Sequence, residues 1–440
     1  MRRSSENCPA RCIRGRQISF CGLLPGTSRS SCGVQMYACG AAQDSAGLVP
    51  ATTASQSARL LKTSGSSWPS GRRSVLAEEE ELRSRIARIR PLDADAQAAA
   101  RAYQDGLAMP PGSMGFLQEL AVQLAGIGGS CAYPDGKKRV IVLCADNGVV
   151  AEGVASTPQS VTLKQAENMI RRVTGMSCLA ERFGDEVQVV DVGINGESSV
   201  DGILRRKIRA HGTADIALGP AMTRAEAVRA VLTGMQLAEQ AAGEHVRFLG
   251  VGEMGIGNTT TSAAVLSALE GLEPEAVTGR GSGLTDAAFA HKKEIVAQAL
   301  RRNAACPDDV LDVLSKLGGL DIAAMCGVFL GAALCRIPAV IDGYISAVAA
   351  LCAFRLAPLS RDFCIPSHCS EEPGYAYAMR ALRMQPPLML RMRLGEGSGC
   401  PLMFRIVEAS CALMTGMASF SQADIDDAYL DALRDTGRRR

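Results

Sequence analysis

From Glu78 onward apolar residues recur at helical spacing, and the turn Met109-Pro-Pro-Gly-Ser-Met-Gly115 leads into another amphipathic stretch, Phe116 to Ala125. The period then changes. Short β-type runs at Val140 to Ala145, Val187 to Val192, Val246 to Val251, Ile337 to Ile341, Phe363 to Ile365 and Met389 to Met392 alternate with longer helical ones. Strands separated by helices, and apolar along most of their length, predict an α/β fold in which a parallel sheet is covered by helices on both faces. The most apolar stretch, Ile322 to Phe354, is interrupted by Arg336 and Asp342. Its unbroken part, Ile322 to Cys335, is too short to span a bilayer and reads as a buried helix followed by a buried strand.

In open parallel sheets ligands bind beyond the carboxyl ends of the strands, so the loop after each strand is where chemistry is expected. Asp146-Asn147-Gly148 follows the first strand, Asp191-Val-Gly193 the second, Gly252-Glu-Met-Gly-Ile-Gly-Asn-Thr259 the third, Asp342-Gly343 the fourth and Gly395-Glu-Gly-Ser-Gly399 the last.

The chain has 440 residues, 47% of them apolar and 21% charged, enough for a sizeable core. Its net charge of +2 is uneven. Residues 1–75 hold ten Lys and Arg against Glu6 and Asp44, and are rich in Ser, Gly and Cys without apolar periodicity, which predicts a disordered extension or an organellar targeting segment. Without that segment the body is slightly acidic, and aromatics make up only 4%, so a nucleic-acid partner is not expected. Sixteen scattered cysteines with no CxxC pair read as reduced thiols rather than a disulfide framework. Cys364, His368 and Cys369 form the only local group of metal-ligand types, and they lack a fourth partner, so no metal is expected.

Gly250-Val-Gly252-Glu-Met-Gly255 matches the dinucleotide fingerprint after a strand and before a helix. The acidic residue that should follow about 20 positions on is met only loosely by Glu270 or Glu273. The overlapping Gly252 to Thr259 imitates a P-loop, with Asn258 where the lysine should stand. Both comparisons share one physical content: glycines that let backbone N–H groups approach a phosphate at a helix N-terminus. Gly279-Arg-Gly-Ser-Gly283 and Gly395 to Gly399 add two more such loops, and Arg280 has the geometry to pair with an anion.

Together with Asp146-Asn-Gly-Val-Val-Ala-Glu-Gly153, Pro158-Gln-Ser-Val-Thr162, His368-Cys-Ser-Glu-Glu-Pro-Gly374 and Arg393-Leu-Gly-Glu-Gly-Ser-Gly399, these loops resemble the nicotinate-nucleotide:dimethylbenzimidazole phosphoribosyltransferase family. The likeness runs from about Pro91 to the C-terminus. It implies a Rossmann-like catalytic domain over residues 131–400 and a small helical domain built from both chain ends, residues 76–130 and 401–440, in a homodimer; the cytoplasm is the default compartment, unless residues 1–75 direct the chain to an organelle. It further implies transfer of phosphoribose from nicotinate mononucleotide to 5,6-dimethylbenzimidazole in cobalamin biosynthesis, without a cofactor. In that resemblance Glu396 matches the catalytic base and Glu253 a second active-site carboxylate. Gly255, Gly257, Asn258, Thr259, Arg280, Gly281, Lys292, Gly397 and Ser398 match positions around the nucleotide, with Lys293 competing for the lysine role. Gln159 and Met254 match contacts to the aromatic base. Asn147, Met114 and Cys369 depart from the commoner His, Leu and Arg. Two other readings compete: an NAD-dependent dehydrogenase, resting on the Gly250 to Gly255 fingerprint, and a non-catalytic protein that binds nucleotide or corrinoid precursor.

Overall fold

The computed structural model describes residues 75–430, so the expectation for the basic extension lies outside the described residues, apart from Val75. Six strands form one sheet: β1 (Lys137–Ala145), β2 (Glu186–Gly193), β3 (Leu204–Arg205), β4 (Val246–Met254), β5 (Ala339–Ile341) and β6 (Cys364–Pro366). Their order is β3-β2-β1-β4-β5-β6, and every pairing is parallel. After its first residue β1 is buried without a break, as is β4 from Phe248 on. Successive side chains point to opposite faces, so unbroken burial means that both faces are covered. The helix Leu320–Leu334 packs on β1, β2, β4 and the helix Arg224–Gly243, while Cys400–Gly416 packs on β1, β4 and β5.

Two sequence expectations need correction. Met389 to Met392 is not a strand: Arg391 has a φ of 54°, which an extended run cannot contain, and Met389 and Leu390 are exposed. The two-residue strand β3 was not foreseen; it is set by pairing with Val190 and Asp191 rather than by an apolar run of its own. Ile322 to Phe354 does form a buried helix, a buried strand and then the buried helix Tyr344–Leu356.

The helices Ala94–Asp105, Phe116–Gly128 and Cys400–Gly416 pack together around Ala100, Ala121, Val122, Ala125 and Met414, joining both ends of the described chain. The first helix, Val75–Ile86, sits elsewhere, against Arg224–Gly243, through Arg85 on Glu239 (2.9 Å) and Arg224 on Glu79 (2.7 Å).

From β1 the chain builds outward through β2 to β3, then crosses back to place β4 on the other side of β1. That reversal opens a crevice beyond the carboxyl ends of β1 and β4, where such folds bind ligands.

Candidate active site

A cleft of about 640 Å³ lies at this crevice, walled by the end of β4, the turn after it, the Arg280–Ser282 loop, the segments after β5 and β6, and residues 391–396. The sheet and the glycine loops meet closely. A Cβ on Gly252 would lie 2.8 Å from the Glu396 carbonyl and the Gly397 Cα, so a side chain there would push the last loop off the sheet. Gly257 has a φ of 93° and precedes the helix Asn258–Glu270, whose first turn has no side-chain cap. The Asn258 and Thr260 N–H groups stay on the Gly255 and Gly257 carbonyls (3.1 and 2.9 Å), so what the terminus offers an anion is chiefly the positive end of the helix dipole. The first glycine loop therefore packs tightly at Gly252 and starts a helix at Gly257.

Beside that terminus Lys292, 1% exposed, donates to Thr259 Oγ1 at 2.8 Å. Burial pushes its pKa down to about 8, opposed by the charge of Glu372. Gly281 closes the group: a Cβ there would stand 3.2 Å from Thr259 Oγ1 and 3.6 Å from Lys292 Nζ. Lys292 lines the cleft, whereas Lys293 lies over the Phe289 ring at 4.3 Å. Arg280 is on the wall but already engaged, with the Leu284 carbonyl at 2.8 Å, Asp286 at 2.5 Å and the Phe289 ring at 4.6 Å.

Another part of the wall carries carboxylates. Glu396 has a φ of 62°, between Gly395 at 81° and Gly397 at 84°. A non-glycine residue held in this left-handed region is strained, and such strain gathers at functional sites. Its Oε1 accepts from Gln165 Nε2 at 2.7 Å, while the buried Oε2 has no hydrogen-bond partner among the described residues. Burial holds the Glu396 pKa above the usual carboxylate range, against the Gln165 amide and the Thr174 hydroxyl, which favour the charge. Glu253 is also buried: Oε1 accepts the Glu396 N–H at 3.3 Å, and Oε2 accepts from Asn258 Nδ2, which also reaches Asp321 Oδ2 at 3.2 Å. Burial, and then the charge of Asp321, push Glu253 up to about 8. At neutral pH it is mostly protonated, so it orients its neighbours more than it supplies negative charge.

The cleft thus brings together ten of the sequence-selected residues: Glu253, Met254, Gly255, Gly257, Asn258, Thr259, Arg280, Gly281, Lys292 and Glu396. Three others lie off its wall. Gly397 gives its N–H to Asp342, the Ser398 N–H goes to the Gly395 carbonyl, and Gln159 accepts from Asn195 at 2.9 Å. The amide on the wall is Gln165 instead. Sequence held a usable signal for it, since Val161 and Gln165 stand one helical turn apart and both line the cleft. Tyr344, Glu372, Arg391 and Leu394 are further wall residues that sequence reasoning missed. The dinucleotide reading loses its ribose carboxylate, because Glu270 ends a helix and pairs with Arg355 at 2.6 Å, and Glu273 precedes a short helix.

A family model described as phosphoribosyltransferase matches residues 89–425. The nicotinate-nucleotide–dimethylbenzimidazole phosphoribosyltransferase of Clostridium perfringens is 48% identical over 347 residues, covering 79% of this chain and 96% of that protein. The Escherichia coli protein of the same name is 42% identical over 338 residues, covering 77% and 94%. The crystal structure of CobT from Thermus thermophilus superposes with a TM-score of 0.72 at 39% identity, covering 76% of this chain and 99% of that one. With the strand order, the glycine loops and the two buried glutamates in place, these likenesses establish that the chain belongs to the nicotinate-nucleotide–dimethylbenzimidazole phosphoribosyltransferase family.

Proposed function

We propose that the chain transfers the phosphoribosyl group of nicotinate mononucleotide to 5,6-dimethylbenzimidazole, releasing nicotinate and forming α-ribazole 5′-phosphate for the nucleotide loop of cobalamin. The observation that carries this reading is a buried, unpartnered carboxylate oxygen on Glu396, in the same cleft as the uncapped helix terminus and Lys292.

The phosphate belongs with Lys292, Thr259 and the first turn of Asn258–Glu270, where a cation and the positive end of the helix dipole favour negative charge. Its C1′ then faces the carboxylate part of the wall. One benzimidazole nitrogen forms a bond to C1′ while the bond from C1′ to the pyridinium nitrogen breaks, and the bonding pair stays with nicotinate as a neutral ring nitrogen. Leaving this way, nicotinate needs no acid. The incoming ring would carry a positive charge unless its N–H proton departs, and Glu396 Oε2 accepts it. Gln165 holds the other carboxylate oxygen, and Glu253 holds the Glu396 N–H, so the acceptor does not wander. Val161, Met254 and Leu394 offer an apolar wall to a flat ring.

A second copy of the chain as partner belongs to this reading through the family likeness, with the cytoplasm as the default setting. No described helix is long and apolar enough to cross a membrane.

The test is incubation of the purified protein with nicotinate mononucleotide and 5,6-dimethylbenzimidazole, with nicotinate and α-ribazole phosphate followed by chromatography and mass. Equal amounts of both are expected, and Glu396→Gln should lower kcat by about 10² to 10⁴. A folded wild-type protein that released neither product would sink the transferase reading. It would favour a binding protein.

A further inference from the structure

Asp342, at the carboxyl end of β5, stands where chemistry is expected, yet it does not line the cleft and takes no part in the steps above. Its side chain is buried and both oxygens are occupied: Oδ2 accepts the Gly397 N–H at 2.9 Å and Oδ1 the Gly399 N–H at 2.7 Å. The residue is itself tied down on two sides. Its N–H donates to Ser346 Oγ, which donates to the Val251 carbonyl of β4, and its carbonyl accepts from Ser367 Oγ at 3.0 Å. Gly399 admits no side chain here, because a Cβ would lie 2.4 Å from His368 Nδ1 and 3.0 Å from Asp342 Oδ1.

These two N–H groups belong to the residues just after Glu396, in the loop that keeps it at a φ of 62°. A glutamate does not stay in the left-handed region unless its surroundings hold it there. A carboxylate accepting two backbone N–H groups is a strong anchor, because charge-assisted bonds exceed neutral ones. We propose that Asp342 is a positioning residue which locks the Gly395–Gly399 loop and thereby holds Glu396 in the cleft. The proposal rests on Glu396 as the proton acceptor. It also explains why Gly397 donates away from the nucleotide.

The titratable groups that face Asp342 are Glu396, Glu253, Cys400, Tyr375 and His368. Burial keeps His368 neutral near pH 7, its pKa lowered to about 4, so Asp342 is not half of an ion pair with it. Burial, with a smaller push from the Glu396 charge, raises Asp342 to about 7, against the Gly399 and Gly397 N–H groups that favour its ionised form.

Asp342→Asn keeps the shape but replaces one acceptor oxygen with a donor, so one loop N–H loses its partner. The expected result is a kcat loss of about 10- to 100-fold, the worth of a hydrogen bond to a charged group, with KM for the mononucleotide little changed. In the Glu396→Gln background the same change should cost almost nothing further, since its effect runs through Glu396. Wild-type kcat in Asp342→Asn, a loss that appears in KM rather than kcat, or losses that multiply in the double variant would each overturn the proposal. Should Asp342→Asn fail to fold, Ser367→Ala removes one tie on Asp342 and spares the carboxylate. It should lower kcat severalfold, and only when Glu396 is present; full kcat would overturn the proposal as well. Wild-type turnover in Glu396→Gln alone would instead overturn Glu396 as the base, and so mark failure of the underlying reading.

Discussion

Two buried groups of opposite charge give the cleft a defined pH window. In the proposed transfer Glu396 accepts a proton, so it would work ionised, and its pKa is raised by burial. Activity therefore falls as pH drops through a value above the ordinary carboxylate range. In the same proposal Lys292 holds the phosphate, so it would work protonated, and its pKa is lowered to about 8. Activity therefore falls again as pH rises through about 8, and kcat/KM, which reports the free enzyme, should trace a bell between the two. Lys292→Met should remove the upper limb and weaken mononucleotide binding by about 10- to 100-fold, the worth of a charge-assisted bond. Steady-state kinetics across pH would check both, and an upper limb that survived in Lys292→Met would assign it to another group. Glu253 shows how far environment outweighs residue type, since the same carboxyl group becomes a neutral strut when buried beside Asp321.

At the scale of elements, glycines decide how closely the body closes around the site. Arg224–Gly243 and Leu320–Leu334 touch backbone to backbone: a Cβ on Gly234 would lie 1.9 Å from the Ala324 carbonyl, and one on Gly327 would lie 1.9 Å from the Val231 carbonyl. Neither contact is with a flexible side chain, so the helices would have to separate. Gly234→Ala should destabilise the fold by about 3 kcal/mol or more, at the upper end for overpacking, read as a lower denaturant midpoint. An unchanged midpoint would mean that the helices part without cost. The alternation of strands and helices was legible in sequence because apolar period is a local property, and the runs at Val140, Val187 and Val246 became β1, β2 and β4. The run at Met389 was not, because its apolar residues face outward and Arg391 breaks the extended backbone.

Across the whole molecule, Arg336 links the helices at the start of the described chain to the sheet. Its guanidinium donates to the carbonyls of Pro91 (3.1 Å), Gly126 (2.6 Å) and Ile127 (2.9 Å), and it lies 5.6 Å from the Phe363 ring centre. Arg336→Ala removes these three bonds, leaving the Gly126 carbonyl only the Asp93 N–H (2.9 Å), at a cost of about 1.5 to 3 kcal/mol for a charged donor. The expected outcome is a lower melting temperature with kcat unchanged, because the contact does not touch the cleft. A fall in kcat at unchanged stability would show instead that these helices govern the chemistry.

Sequence by itself determined the α/β class, the crevice as the place for ligands and the glycine loops, because hydrophobic period and the need for small residues are written into neighbouring positions, while the two glutamates were singled out only by likeness to a family. Tertiary structure decided which amide meets Glu396: Gln165 donates to its carboxylate, while Gln159 accepts from Asn195 instead. It also decided that the Gly397 N–H goes to Asp342, a residue 55 positions away. The raised pKa of Glu253 and the lowered pKa of Lys292 belong to the same class of fact. Burial and Coulomb interaction depend on distances that only the folded chain creates.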